Sequence, residues 1–159
     1  MPRFGGTHTD TFIVPRDLET AKKHFGSLSA IVDASADIEL ANVEGDTINF
    51  LLAAQNLGVL EFQAKYSCRY FFADKNTLIW EPVGEGNTFQ SGKAIFQSTP
   101  DGQTEIAYTE TVEMEIELPA LMVPMLNPVF THAVVSAIKN YLKLMIESLP
   151  VRTIDSPAP

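Results

Sequence analysis

The spacing of apolar residues changes twice along the chain, and each change marks a change of structure. Residues 7–14, THTDTFIV, read as a strand that Pro15 ends. Asp17 then caps a helix in DLETAKKHFGS, which breaks near Gly26, and LSAIVDAS adds a second short helical turn. From Asp37 the period falls to two. DIELANV and TINFLLAA flank EGD, a hairpin signal. LGVLEFQAKYSCRYFFA, TLIWEPV, TFQSGKAIFQS and TEIAYTETVEMEIEL follow, separated by DKN, EGN and the strong turn TPDGQ. That order is an antiparallel meander. The period then returns to that of a helix: Asn127 caps it, Pro128 takes its first position, and it runs to Ser148. His132, Ser136, Asn140, Lys143 and Glu147 share one stripe, while Phe130, Val134, Ala137, Ile138, Tyr141, Leu142, Met145 and Leu149 share the opposite arc.

The last strand alternates most cleanly. Ile106, Tyr108, Val112, Met114, Ile116 and Leu118 hold even positions, and Glu105, Thr109, Thr111, Glu113, Glu115 and Glu117 hold odd ones. One face is therefore apolar and the other wet. The same parity puts Phe62, Ala64, Tyr66, Cys68, Tyr70 and Phe72 on one face of the long middle strand. The expected class is α+β: a strongly curved antiparallel sheet of six to seven strands wrapped around a long C-terminal helix, with one or two short helices after the first strand. Gly92, inside a strand pattern, helps such a sheet bend. A sheet and helix that close imperfectly leave a cavity between them.

Composition narrows the partners. A formal net charge of −9 disfavours nucleic acid and anionic lipid, both of which need Lys and Arg opposite them. At 159 residues the chain fits one domain, expected over 1–150, with 151–159 as a flexible tail. Cys68 is the only cysteine, so no internal disulfide forms, and a reducing, cytoplasmic setting is expected. The first residues lack the apolar core of a secretion signal, and no apolar run reaches the roughly 18 residues of a membrane span.

Three stretches, DTFIVPRDLETAKKHF, NTLIWEPVGEGNTFQSGKAIF and GQTEIAYTETVEMEIELP leading straight into the final helix, resemble the START/Bet v 1-like helix-grip superfamily, also called the polyketide cyclase/dehydrase and lipid-transport superfamily. The resemblance covers about residues 7 to 149. It implies an internal apolar pocket between sheet and long helix, in a superfamily whose members bind lipids, sterols, polyketides or other hydrophobic molecules and of which only some are enzymes.

Glu110 is the most informative single residue. It interrupts the apolar parity of the last strand, between Tyr108 and Val112. A carboxylate there is paired, hydrogen-bonded, protonated or facing a cavity. Desolvation raises its pKa, as a general acid or base requires. The plainer readings are a bulge that turns it outward, or a partner such as Arg69 or Lys93. Tyr66, Cys68 and Tyr70 share a face, where tyrosines are either core with satisfied hydroxyls or donors to a bound polar group. Trp80 is a pocket wall or a cover for the sheet's end. PALMVPML, with Met122 and Met125, is a deformable cavity rim or a packed connection. His8, His24 and His132 form none of the spacings of a metal site. Neither metal nor cofactor is expected.

The sequence therefore favours a non-catalytic binding or carrier protein for a hydrophobic small molecule or lipid, without stable membrane insertion. Phe62, Tyr66, Tyr70, Trp80, Tyr108, Met114, Met122, Phe130 and Val134 are its expected lining, and Glu110 its polar anchor. Two alternatives stay open: a cyclase/dehydratase-like enzyme using Glu110 as its acid–base group, and a ligand-free interaction module with a filled core.

Overall fold

The computed structural model describes residues 2–56 and 60–151. Strand β1 runs over Arg3–Val14, followed by helices α1 (Leu18–Phe25) and α2 (Leu28–Ala34). Eight strands come next: β2 (Ile38–Glu44), β3 (Thr47–Leu52), β4 (Gln55–Asn56), β5 (Glu61–Phe62), β6 (Lys65–Asp74), β7 (Thr77–Val83), β8 (Thr88–Ser98) and β9 (Thr104–Glu115). A 3-10 turn at Ala120–Met122 leads into α3 (Val123–Glu147). Seven strands form one sheet in the order β1-β9-β8-β7-β6-β3-β2, and every neighbouring pair is antiparallel. This is the α+β helix-grip arrangement, with the meander closed at one end by the first strand.

Local chemistry sets the short helices. Asp17 accepts from the Thr20 amide and caps α1, and Ser27 does the same for α2 through Ala30. His24, buried at the end of α1, lies 2.8 Å from the carbonyl of Met145. A carbonyl only accepts, so Nε2 carries the proton, and the bond ties α1 to the last turn of α3. At the other end of the sheet, Thr131 of α3 donates to the carbonyl of Gly5 at 2.7 Å. A side chain at Gly6 would meet Thr131 and Val135 at 3.2–3.3 Å, so its absence lets α3 lie close against this edge strand.

Two expectations need correction. The long middle strand is broken: β5 pairs with β4 in a separate two-stranded ribbon, β6 restarts at Lys65, and residues 57–59 lie outside the described residues, as does the expected tail from residue 152. The final helix starts at Val123 rather than Pro128, so Pro128 lies inside it. Pro124 sits in the first turn, where an N–H has no helical partner to lose. Pro128 forfeits only the bond to the Pro124 carbonyl. Both prolines are exposed, so solvent can satisfy that oxygen.

The early start also gives a helical segment, Ala120–Glu147, long and apolar enough by length and composition to cross a membrane, contrary to the expectation from apolar runs alone. Here it serves as the core helix. Phe130, Val134, Ile138, Leu142 and Met145 are buried along one side of it. Each contributes roughly 1.5–3 kcal/mol by leaving water. The interior falls into two clusters. The larger includes Phe25, Ile48, Tyr70, Trp80, Phe96, Ile106, Tyr108, Ile138 and Met145. The smaller, near the start of α3, centres on Phe4, Ile116 and Phe130 with Phe62 and Met114 against it.

Candidate functional site

Register builds the site. Reading across the sheet from β6 to β1, Tyr70 pairs with Trp80, Trp80 with Gly92, Gly92 with Glu110, and Glu110 with His8. Paired residues share a face, so these five stand in one row on the side that meets α3. The row beside it holds Leu78, Ala94, Tyr108 and Asp10. Pairing is continuous through Glu110 on both sides of β9, so no bulge turns it outward. Glu110 is buried, with 3% of its surface exposed.

Gly92 makes this arrangement possible. A Cβ there would fall 2.3 Å from the Thr109 carbonyl oxygen and 2.5 Å from Cζ2 of Trp80. The indole occupies the space a side chain would take, lying 5.2 Å from the ring of Tyr108 and 6.1 Å from that of Tyr70. This stack makes Trp80 a wall of the interior.

Neither basic residue named from the sequence reaches Glu110. Arg69 instead pairs with Asp46 at 3.0 Å and Glu81 at 3.5 Å, and Lys93 is exposed. Glu110 is held by neutral donors: Gln90 Nε2 donates to Oε1 at 2.8 Å and Tyr108 donates to the same oxygen at 3.1 Å. Burial pushes the Glu110 pKa up to about 7, against the opposing pull of those two hydrogen bonds. The Trp80 indole N–H lies near enough to favour the charged form weakly, yet it makes no hydrogen bond of normal geometry. It is a buried donor without a partner, which is unusual in a folded interior.

Around the carboxyl lies a ring of phenols. Burial raises the pKa of Tyr70, Tyr108 and Tyr141 well above the ordinary phenol value and that of Tyr66 in the same direction. It also pushes the Cys68 thiol up to about 12, which leaves it an inert packing group. A cavity of about 10 Å³ opens among Tyr70, Trp80, Tyr108, Glu110 and Tyr141. That is close to the room one water needs. The interior is thus nearly filled, not spacious.

Of the residues named from sequence, Tyr70, Trp80, Tyr108 and Glu110 come together at this cavity. Tyr66 stacks on Phe50 with ring centroids 4.9 Å apart, beside it. Phe62, Met114 and Phe130 belong to the smaller cluster, with Met114 touching both. Val134 is core, and Met122 lies half-buried in the 3-10 turn. Gln90 and Tyr141 were missed. Tyr141 carried a signal, since it falls on the buried arc of the helix. Gln90 carried none, because its role depends on cross-strand register.

No protein-family model and no curated protein sequence matches this chain. Solved structures do. A protein from Thermus thermophilus is 16% identical, with a TM-score of 0.67 over 92% of this chain and 95% of that one. A START superfamily protein from Mycobacterium smegmatis is 14% identical, with a TM-score of 0.62 over 92% of this chain and all of that one. Norcoclaurine synthase from Thalictrum flavum is 11% identical, with a TM-score of 0.56 over 89% and 86% of the two chains, and it has also been solved in complex with dopamine and hydroxybenzaldehyde. At these identities the likeness shows a START/Bet v 1-like fold.

Proposed function

We propose that this chain binds a small hydrophobic molecule carrying a hydroxyl group, taken up between the sheet and α3 with the hydroxyl against Glu110. The observation that carries this reading is the pairing of an unsatisfied buried donor, Trp80 Nε1, with a buried acceptor, Glu110, at the wall of one cavity. A hydroxyl accepts from one and donates to the other, which neither a carbonyl nor an ether does. Tyr70, Trp80, Tyr108 and Tyr141 supply an aromatic wall for the apolar body. Binding comes from apolar burial, and the polar pair sets orientation. A cavity this small makes room only if side chains along α3 rotate, so the ligand opens the space it occupies. The hydrophobic-ligand character of START/Bet v 1-like proteins agrees with this reading.

Trp80 is the only tryptophan, so its fluorescence reports on the site directly. Titration with naphthol should change that emission saturably, and methoxynaphthalene, which cannot donate, should bind about tenfold more weakly. Glu110→Gln should erase the difference. If neither compound alters Trp80, and native mass spectrometry finds no extractable adduct, the carrier reading fails and the filled interior points to an interaction module.

The raised pKa of Glu110 favours a second reading, in which the carboxyl and Tyr108 exchange protons with a bound substrate. A carboxyl carbon of Glu110 that titrates near 4.5 in NMR would remove it.

A further inference from the structure

A second space lies on the other side of α3. A groove of about 420 Å³ runs between β1 and the second half of the helix. Leu142 and Ile146 form its apolar floor, and His8, Asp10, Lys139 and Lys143 its polar walls. This volume is in the range of small-molecule sites.

The groove and the Glu110 cavity are neighbours by construction. His8 is the cross-strand partner of Glu110, and adjacent strands stand about 4.8 Å apart. On the helix, Tyr141 lines the cavity and the next residue, Leu142, lines the groove. One residue's width on each element separates the two spaces. The row Tyr70, Trp80, Gly92, Glu110, His8 therefore runs from the closed interior to the open groove. His8 is half-buried, as a group at that boundary must be.

Charge gives the groove a preference. The chain has 20 acidic against 11 basic residues, so free cations are scarce. Among the described residues no ion pair engages Lys139, and Lys143 reaches Glu147 only at 4.0 Å with both side chains largely exposed. The one carboxylate on the strand side, Asp10, accepts from the Thr11 amide at 2.8 Å. Glu110 at the inner end repels an anion, so an acidic group has its place outside, at the lysines.

We propose that this groove is the outer subsite and the mouth of the Glu110 site, and that the ligand is an amphiphile with a hydroxyl at its inner end and an acidic group, carboxylate or phosphate, held outside by Lys139, Lys143 and His8. This rests on the hydroxyl-binding reading of Glu110. The apolar body passes Leu142, whose side chain with Tyr141 turns aside to join the two spaces.

The test compares probes that differ only at the outer end: ω-hydroxydecanoate, decanediol and hydroxydecyl phosphate, read by Trp80 fluorescence and by NMR of the His8 ring. The expected result is that both acids bind about tenfold tighter than the diol, that they shift the His8 signals, and that the diol leaves His8 nearly unmoved. Charge reversal at Lys139→Glu with Lys143→Glu, both on the exposed stripe, should bring the acids down to the diol's affinity without changing the melting temperature. A carboxylate and phosphate that bind alike mean the groove reads charge, and a preference between them identifies the source. If the diol and the acids bind equally, or charge reversal changes nothing, the groove is not the outer subsite, while a Trp80 response to the diol keeps the Glu110 reading intact. Silence from all probes overturns both.

Discussion

Tyr108 and Glu110 stand two positions apart on β9, and the phenol of one donates to the carboxylate of the other at 3.1 Å inside a buried aromatic ring. The bond stabilises a charge that the surroundings oppose. That opposition makes the carboxyl sensitive to pH and to its neighbours, and the tests below exploit it.

Stability should fall as pH rises from about 4.5 to about 7. Folding raises the Glu110 pKa from 4.5 to about 7. Between those values the folded chain keeps a proton that the unfolded chain has released, so the unfolded state binds fewer protons and the slope is negative. The loss is on the order of 3 kcal/mol, complete above about pH 7. Asp17, Asp46 and Asp74, whose pKa values are lowered by hydrogen bonds, act at more acid pH and with the opposite sign. Urea denaturation across this range should show the decline, and Glu110→Gln should flatten it. A flat wild-type profile would mean the carboxyl is better solvated than its burial indicates.

Tyr108→Phe removes one of the two donors to Glu110. The carboxyl pKa should rise further, visible in the titration of its carbon signal. Above neutral pH the variant should lose roughly 1.5–3 kcal/mol, the worth of a hydrogen bond to a charged group. At pH 5, with Glu110 neutral, the loss should shrink to about 1 kcal/mol.

Gly92→Ala places a methyl against backbone, where nothing flexible can give way. The indole of Trp80 must also move. A cost of about 1–3 kcal/mol is expected from overpacking, together with a changed near-ultraviolet circular dichroism signal. An unchanged Trp80 signal would show that the ring does not need this glycine.

Pro128→Ala restores an N–H four residues beyond the Pro124 carbonyl, on an exposed face. The melting temperature should rise, by an amount corresponding to about 1–3 kcal/mol. Destabilisation would argue that the helix starts at Pro128 after all.

The layout of the chain was legible before any coordinates. Alternation of apolar residues marked the strands of the meander, Asp17 and EGD placed a cap and a turn, and the apolar arc from Phe130 to Leu149 identified the core helix. These signals are local, since side-chain direction follows the backbone period wherever the element lies. Glu110 stood out for the same reason, as a carboxylate on an apolar parity. What surrounds it was set by the fold as a whole. Gln90, Trp80, Gly92 and His8 come to Glu110 through register between strands distant in sequence, and composition carries no trace of register. The prolines misled for a related reason. Their local cost argued for a late helix start, and the burial of Phe130 together with the Thr131 bond to Gly5, both supplied by the rest of the fold, offsets it.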